Sequence, residues 1–213
     1  MILELEFDIR GQRLPADHGY ALYSAVKQIA DISPETLLSS ISGQSKHKGI
    51  IALTQFSKFR LRTPNTQIDN LHRLLNQQVL DIRGHLIKLI DARLSTPKPS
   101  AILKSRLVTI KLAQVNLTET PNYFLESCQR ALDKLEIQGK VSIDYSEGLA
   151  LKAIRIKEKH VLGYAVTVEN LNAVDSIKLQ TMGLGGRKHF GCGWFYAPKE
   201  VCLLYTSPSP RDS

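Results

Sequence analysis

The chain has 213 residues, enough for one large domain or two small ones, and its 43% hydrophobic and 23% charged content is that of an ordinary globular protein. Its formal net charge is +8, shared evenly between the two halves, so a polyanionic partner such as nucleic acid is expected of the whole body and not of a basic tail. Three cysteines (Cys128, Cys192 and Cys202) show neither paired spacing nor a histidine at ligand distance in sequence, which argues against a disulfide scaffold and a zinc site. The start, Met1 to Glu6, alternates like a strand and does not read as a signal peptide, and no apolar run reaches the length of a membrane span; a cytoplasmic protein is expected.

Leu3, Leu5, Phe7 and Ile9 alternate with Glu4, Glu6 and Asp8, which predicts a half-buried strand. Gly11 and Pro15 end it, and Asp17 is the expected N-cap of a helix over Gly19–Ile32, where Leu22, Ala25, Val26 and Ile29 fall at helical spacing. A short turn or helix is expected over Ser33–Leu38 and a loop over Gly43–Gly49. Ile50–Leu53 and Phe59–Leu61 then read as two paired strands around Ser57 and Lys58. Thr66–Leu75 predicts a second helix, and Val79–Ile82 with His85–Ile90 a hairpin turning at Arg83-Gly84. Residues 1–94 therefore run β-α-β-β-α-β, a ferredoxin-like unit.

Ser95 to Ser100, with two prolines, reads as a linker. The pattern then restarts with a strand over Ile102–Leu112 and a helix over Pro121–Leu135. Strands follow at Ala153–Lys157 and Val161–Val168, turning at Glu158 to His160. A helix over Leu171–Met182 ends at Gly183, the expected C′ glycine, and Phe190–Tyr196 is the expected last strand. Residues 101–201 thus repeat the architecture, and the fold class is α+β with tandem ferredoxin-like (RRM-like, βαββαβ) domains. Cys202 to Asp212 is what translation of a transposase-type sequencing adaptor would give, so the natural coding sequence is expected to end near Val201, with 202–213 a read-through tail.

Between the last helix and the last strand stands Gly183-Leu-Gly-Gly-Arg-Lys-His-Phe-Gly-Cys-Gly193, five glycines in eleven residues with three basic or potentially basic side chains. Glycine lets a backbone approach a ligand and leaves amides for an anion, while Arg187 and Lys188 supply charge and Phe190 with Trp194 stacking faces. A P-loop is excluded because no Gly-Lys-Ser/Thr follows, and a dinucleotide fingerprint because Lys188 stands where the third glycine belongs. The plain alternative is a glycine-rich turn between two surface elements. A helix C-terminus repels anions, so the cations and loop amides would have to dominate here.

This loop resembles the C-terminal glycine-rich loop of the CRISPR repeat-processing endoribonucleases, the sixth Cas protein family of the RAMP superfamily. Leu14-Pro-Ala-Asp-His-Gly-Tyr-Ala-Leu-Tyr-Ser-Ala25, Arg106-Leu-Val-Thr-Ile-Lys111, Arg155-Ile-Lys157 with Val161-Leu-Gly-Tyr164, and Ser176-Ile-Lys-Leu-Gln180 are similar to its compact MYXAN-type branch. The resemblance spans residues 1 to about 197. It implies binding of the stem-loop CRISPR repeat RNA and cleavage without metal or cofactor: the ribose 2′-OH attacks its phosphodiester and leaves a 2′,3′-cyclic phosphate and a 5′-OH. The mature crRNA and Cascade-type effector subunits are the implied partners. A non-catalytic repeat-hairpin-binding subunit is the alternative, and a small-molecule-binding ferredoxin-like protein would leave the charge and the loop unexplained.

Histidine suits either proton transfer because its ordinary pKa lies near neutrality. The resemblance points to His18, at the start of the first helix where the dipole favours a neutral ring, with Tyr20 or Tyr23 orienting the scissile phosphate. His47, in Ser45-Lys-His-Lys48, is the rival; a Gly-Ile-His-Pro-like stretch common in the family is replaced here by Leu38-Ser-Ser-Ile41. His189 is expected to touch phosphate, and His72, His85 and His160 to be surface residues. For RNA binding the expected set is Arg106, Lys111, Arg155, Lys157, Gly183, Gly185, Gly186, Arg187, Lys188, His189, Gly191 and Gly193. Arg155 with Lys157, and Arg60 with Arg62, are expected to share strand faces that could follow a stem backbone.

Overall fold

The computed structural model describes residues 1–46, 49–110, 120–146 and 151–198. In the first half the alternating apolar residues of β1 (Ile2–Arg10) place Leu5 and Phe7 in the core, and the strand lies inside a five-stranded antiparallel sheet. After the short β2 (Arg13–Pro15), α1 (Gly19–Ile29) covers one face of that sheet with Leu22, Ala25 and Val26. Strands β3 (Leu37–Leu38), β4 (Gln44–Ser45), β5 (Ile50–Ala52) and β6 (Lys58–Pro64) follow, then α2 (Asn65–Leu75) and the hairpin β7 (Val79–Ile82) with β8 (His85–Ser95). The sheet order is β3-β6-β1-β8-β7.

The strand that pairs with β6 differs from the expectation. Leu37–Leu38 takes that place, in the segment read as a turn or helix, whereas Ile50–Ala52 pairs with β2 and β4 in a separate three-stranded sheet. Two fully buried leucines are too short a run to show alternation, so periodicity could not mark them. Helix α1 also stops at Ile29, three residues short of the expected end, because Ala30 turns extended. Its N-cap residue is His18 and not Asp17. The Asp17 carboxylate instead accepts the backbone N–H of Arg155 at 2.7 Å, tying the two halves together.

The second half has β9 (Leu103–Val108), α3 (Thr120–Lys134), β10 (Lys140–Ile143), β11 (Leu151–Ile156), β12 (Lys159–Glu169) and α4 (Ala173–Met182). Long β12 is central: β9 pairs along one edge, and β11 and β10 lie end to end along the other. The core gathers Val108 and Leu103 of the sheet with Phe124, Cys128 and Leu132 of α3 and Leu179 of α4. The expected final strand shrinks to an antiparallel bridge between Lys104 and Tyr196, with two backbone bonds of 2.9 Å. Left-handed backbone at Arg187, Gly191 and Gly193 (φ 60, 82 and 65°) breaks any extended run before it. The second half departs from a strict βαββαβ order, since β10 is a strand not expected from the sequence and the last strand is only a bridge; the fold is α+β with tandem ferredoxin-like units. Among the described residues no helix is long and apolar enough to cross a membrane.

The halves are bolted together. Arg62 on β6 is 3% exposed; its guanidinium donates to Glu4 Oε2 (2.7 Å), Gln180 O (2.8 Å) and Phe195 O (2.7 Å) and lies 3.9 Å over the Trp194 ring. The connecting segment packs as well: Gln180 Nε2 donates to Lys98 O at 2.7 Å and Ser100 N–H to Ser176 Oγ at 2.9 Å.

Candidate nucleic-acid interface

Helix α4 ends at Gly183, whose N–H still bonds Leu179 O (2.9 Å), and the chain folds back across β9 onto α1. The glycines of this loop answer mainly to the protein itself. A Cβ on Gly193 would stand 2.2 Å from Leu184 O, and one on Gly191 2.3 Å from Ser40 Oγ, both at positive φ. Gly183, Gly191 and Gly193 are buried, Gly185 is half-buried, and Gly186 alone of the five is exposed. The amides are also engaged: Gly186 N–H bonds Thr109 O (2.9 Å) and Gly193 N–H bonds Leu107 O (2.8 Å). The expected clamp of free loop amides is therefore corrected for Gly183, Gly186 and Gly193.

Lys188 is turned inward. Its ammonium donates to Met182 O at the end of α4, a cation on the negative end of a helix, and burial lowers its pKa. Arg187 is exposed, and its guanidinium has no hydrogen-bond or ion-pair partner among the described residues, while its carbonyl accepts the Phe190 N–H at 2.9 Å. A single 3-10 turn over Lys188–Phe190 then presents two rings to α1. His189 stacks on Tyr23 at 5.2 Å with 5° between planes, and its Nε2 lies 3.2 Å from Ser33 O. Phe190 sets its ring edge-on to Tyr20 (5.4 Å) and Tyr23 (5.3 Å). Gly19 permits this approach, since a Cβ there would meet Phe190 O at 2.2 Å.

His18 sits beside this contact but inside it. The residue is 1% exposed; Nδ1–H donates to Pro15 O (2.8 Å), and Nε2 accepts the Ile41 N–H (3.0 Å). Burial pushes its pKa down to about 4, with the Arg106 charge adding to the effect. Burial, and not the helix start, is the main cause that favours the neutral ring, and both nitrogens are already engaged by Pro15 and Ile41. His47 and Lys111 lie outside the described residues. His72 and His160 are exposed and His85 half-buried.

The expected cation rows divide sharply. On the first sheet Arg62, Arg60 and Lys58 of β6 stand directly opposite Glu4, Glu6 and Asp8 of β1, and all three pairs form ion pairs. Arg93 of β8 joins Glu6 and Asp8. The Arg60–Arg62 face is therefore neutralised and does not serve as an anion track. Arg155 folds onto its own hairpin turn, donating to Lys157 O (3.1 Å) and Glu158 Oε2 (3.2 Å). Lys157 sits in that turn at φ 53° and so does not share a strand face with it. Among the described residues of the expected set, Arg106, Lys157 and Arg187 are exposed without an ion-pair partner. Arg106 lies close enough to His18 and Cys192 to act on both electrostatically, which places it at the seam between the halves. Cys192 and Cys128 are buried free thiols, pushed up to about 11 and about 12. No three His, Cys, Asp or Glu side chains among the described residues are grouped to hold a metal ion.

The neutralised row was legible: acids alternate on β1 as cations do on β6. The Asp17–Arg155 tie and the Arg62 bolt link residues over a hundred positions apart and had no local signal.

Two ferredoxin-like units in tandem, with a glycine-rich loop folded back from the second onto the first, define the class of fold. Residues 3–200 match the family model described as Cas6 Crispr, and the chain belongs to that family. It is 30% identical over 201 residues to the CRISPR-associated endonuclease Cas6 of Myxococcus xanthus (strain DK1622), covering 93% of this chain and 82% of that one. Two solved structures share the fold. One is a CRISPR-associated protein Cas6 (TM-score 0.67, 14% identity, 93% of this chain and 100% of that one). The other is a Cas6-related gene product of Pyrococcus furiosus (TM-score 0.65, 12% identity, 94% and 100%).

Proposed function

We propose that the chain binds CRISPR repeat RNA at the seam and cuts it without a metal ion. The 2′-OH would attack the adjacent phosphorus, forming O2′–P and breaking P–O5′, so that a 2′,3′-cyclic phosphate and a 5′-OH remain. The 2′ proton passes to a protein base, and the leaving O5′ takes one from water. The observation that carries this reading is the docking of the loop on α1, which brings His189 onto Tyr23 in a chain with exposed Arg106 and Arg187.

Within that reading the residues take separate roles. Arg106 and Arg187 face phosphate charge. His189 has Nε2–H directed at Ser33 O, so its Nδ1, without a partner among the described residues, is the free acceptor. Tyr23 orients that ring by stacking, and Tyr20 holds Phe190. His18 positions the start of α1 and the Ile41 backbone. His47 is the rival base. The closed ring of His18 favours a second reading, an RNA-holding subunit of an effector complex that does not cut.

Incubating the protein with its own repeat RNA in EDTA separates the two. Cleavage with cyclic-phosphate ends supports the enzyme reading, and tight binding with uncut RNA refutes it. His189→Ala should lower single-turnover cleavage about 100-fold or more, the scale of a lost acid-base group, while affinity changes little. Unchanged cleavage moves the base to His47. Arg60→Gln should leave RNA affinity unchanged, since that guanidinium is already paired.

A further inference from the structure

The exposed end of the glycine-rich loop overhangs a cavity of about 420 Å³ on the helix side of the second half. Its walls include Thr109 past the end of β9, Ser127, Arg130 and Lys134 of α3, and Gly186 and Arg187 of the loop. Arg130 and Lys134 are one helical turn apart and so share a face. Arg130 is steadied by Ser127 Oγ at 3.0 Å and reaches Glu126 only at 3.9 Å. The side chains of Lys134 and Arg187 have no hydrogen-bond or ion-pair partner among the described residues. Three cations therefore border one concavity whose described lining contains no carboxylate.

Gly186 points the same way. Elsewhere in the loop a side chain would strike backbone or force a left-handed residue, but a Cβ on Gly186 would meet nothing nearer than Thr109 O at 4.0 Å. Its φ is not positive. Neither packing nor conformation asks for glycine here. The residue is nonetheless pinned, its N–H on Thr109 O at 2.9 Å and its carbonyl accepting Thr109 Oγ1–H at 3.1 Å. A fixed, bare stretch of backbone at the rim of a cationic cavity leaves room for something to lie against it.

We propose that this cavity seats a backbone phosphate of a single-stranded segment of the RNA that flanks the stem. The proposal rests on the RNA-binding reading above. Arg187 belongs to both places: it lines the cavity, and its charge reaches Cys192, which Arg106 also reaches from the seam. A strand leaving the seam past Arg187 would enter directly. The volume suits about one nucleotide unit, the low end of ligand cavities, and is too small for an A-form stem. A flexible single strand can turn its phosphate inward there.

The test is binding by fluorescence anisotropy, using a repeat RNA with 2′-deoxy sugars to block cleavage, both whole and trimmed to its stem. The double variant Arg130→Gln with Lys134→Gln should bind whole repeat at least about tenfold more weakly, since charged hydrogen bonds are lost. Its log–log salt slope should be shallower by roughly 0.7, the loss of one neutralised single-strand phosphate. Both proteins should bind the bare stem equally. Repeats carrying only the 5′ or only the 3′ flank identify the strand, because one of them alone retains the difference. Gly186→Leu should reproduce the loss with an unchanged melting temperature. Wild-type affinity in both variants, or an equal loss on the bare stem, overturns the seat. Failure of the wild type to bind any repeat RNA instead overturns the RNA reading beneath it.

Discussion

Replacing His18 by Gln removes a titrating ring while keeping one donor and one acceptor for Pro15 O and the Ile41 N–H. The ring's pKa falls from an ordinary 6.5 to about 4, because burial disfavours the imidazolium. In the unfolded chain the residue takes up a proton below 6.5, whereas the folded protein resists until about 4. Between those values the unfolded state binds more protons, so stability rises with pH across the window. The His18 contribution is complete above 6.5 and is lost as pH falls toward 4, a total of roughly 3 kcal/mol. At pH 5, part-way through, roughly 2 kcal/mol should be gone. Urea unfolding at pH 7.5 and 5.0 measures this directly, and His18→Gln should lose less stability than wild type by that amount. Ring-proton NMR should show no His18 titration between pH 8 and 5. A His18 signal titrating near 6.5, with the same acid sensitivity in the variant, refutes the buried-ring account and returns His18 as a candidate base.

Arg62→Met should lower stability by about 3–5 kcal/mol, the scale for breaking a buried ion pair, because Glu4 and two carbonyls lose their donor. The urea midpoint checks it, and a loss under about 1 kcal/mol would deny Arg62 its bolting role. Gly19→Ala reverses the usual helix effect. Alanine ordinarily gains about 1 kcal/mol over glycine in a helix, but this Cβ would lie 2.2 Å from Phe190 O. A net loss of about 1–3 kcal/mol is expected from overpacking, together with weaker near-UV signals from the Tyr20, Tyr23 and Phe190 cluster; a stabilised protein contradicts the close approach.

The periodic elements were legible in the sequence because each buries one face. Leu3 to Ile9 could only be a half-buried strand, the Phe124–Cys128–Leu132 stripe only a helix facing a core, and Gly183 a helix stop. The order of those elements was enough to give tandem ferredoxin-like units, though it missed β10 and overstated the last strand, and the loop composition was enough to place a basic, glycine-rich segment after the last helix. What each residue does there was decided by partners distant in the chain. Leu37–Leu38 became a sheet strand only because Arg62 and Leu61 stand opposite. His18 became a closed ring because Pro15 and Ile41 take both its nitrogens. Four glycines that looked made for a phosphate proved to be shaped by the protein's own backbone and by Ser40, and Gly186 alone stayed open. Local sequence sets backbone preference and amphipathic pattern, but hydrogen-bond partners and steric room are properties of the packed fold.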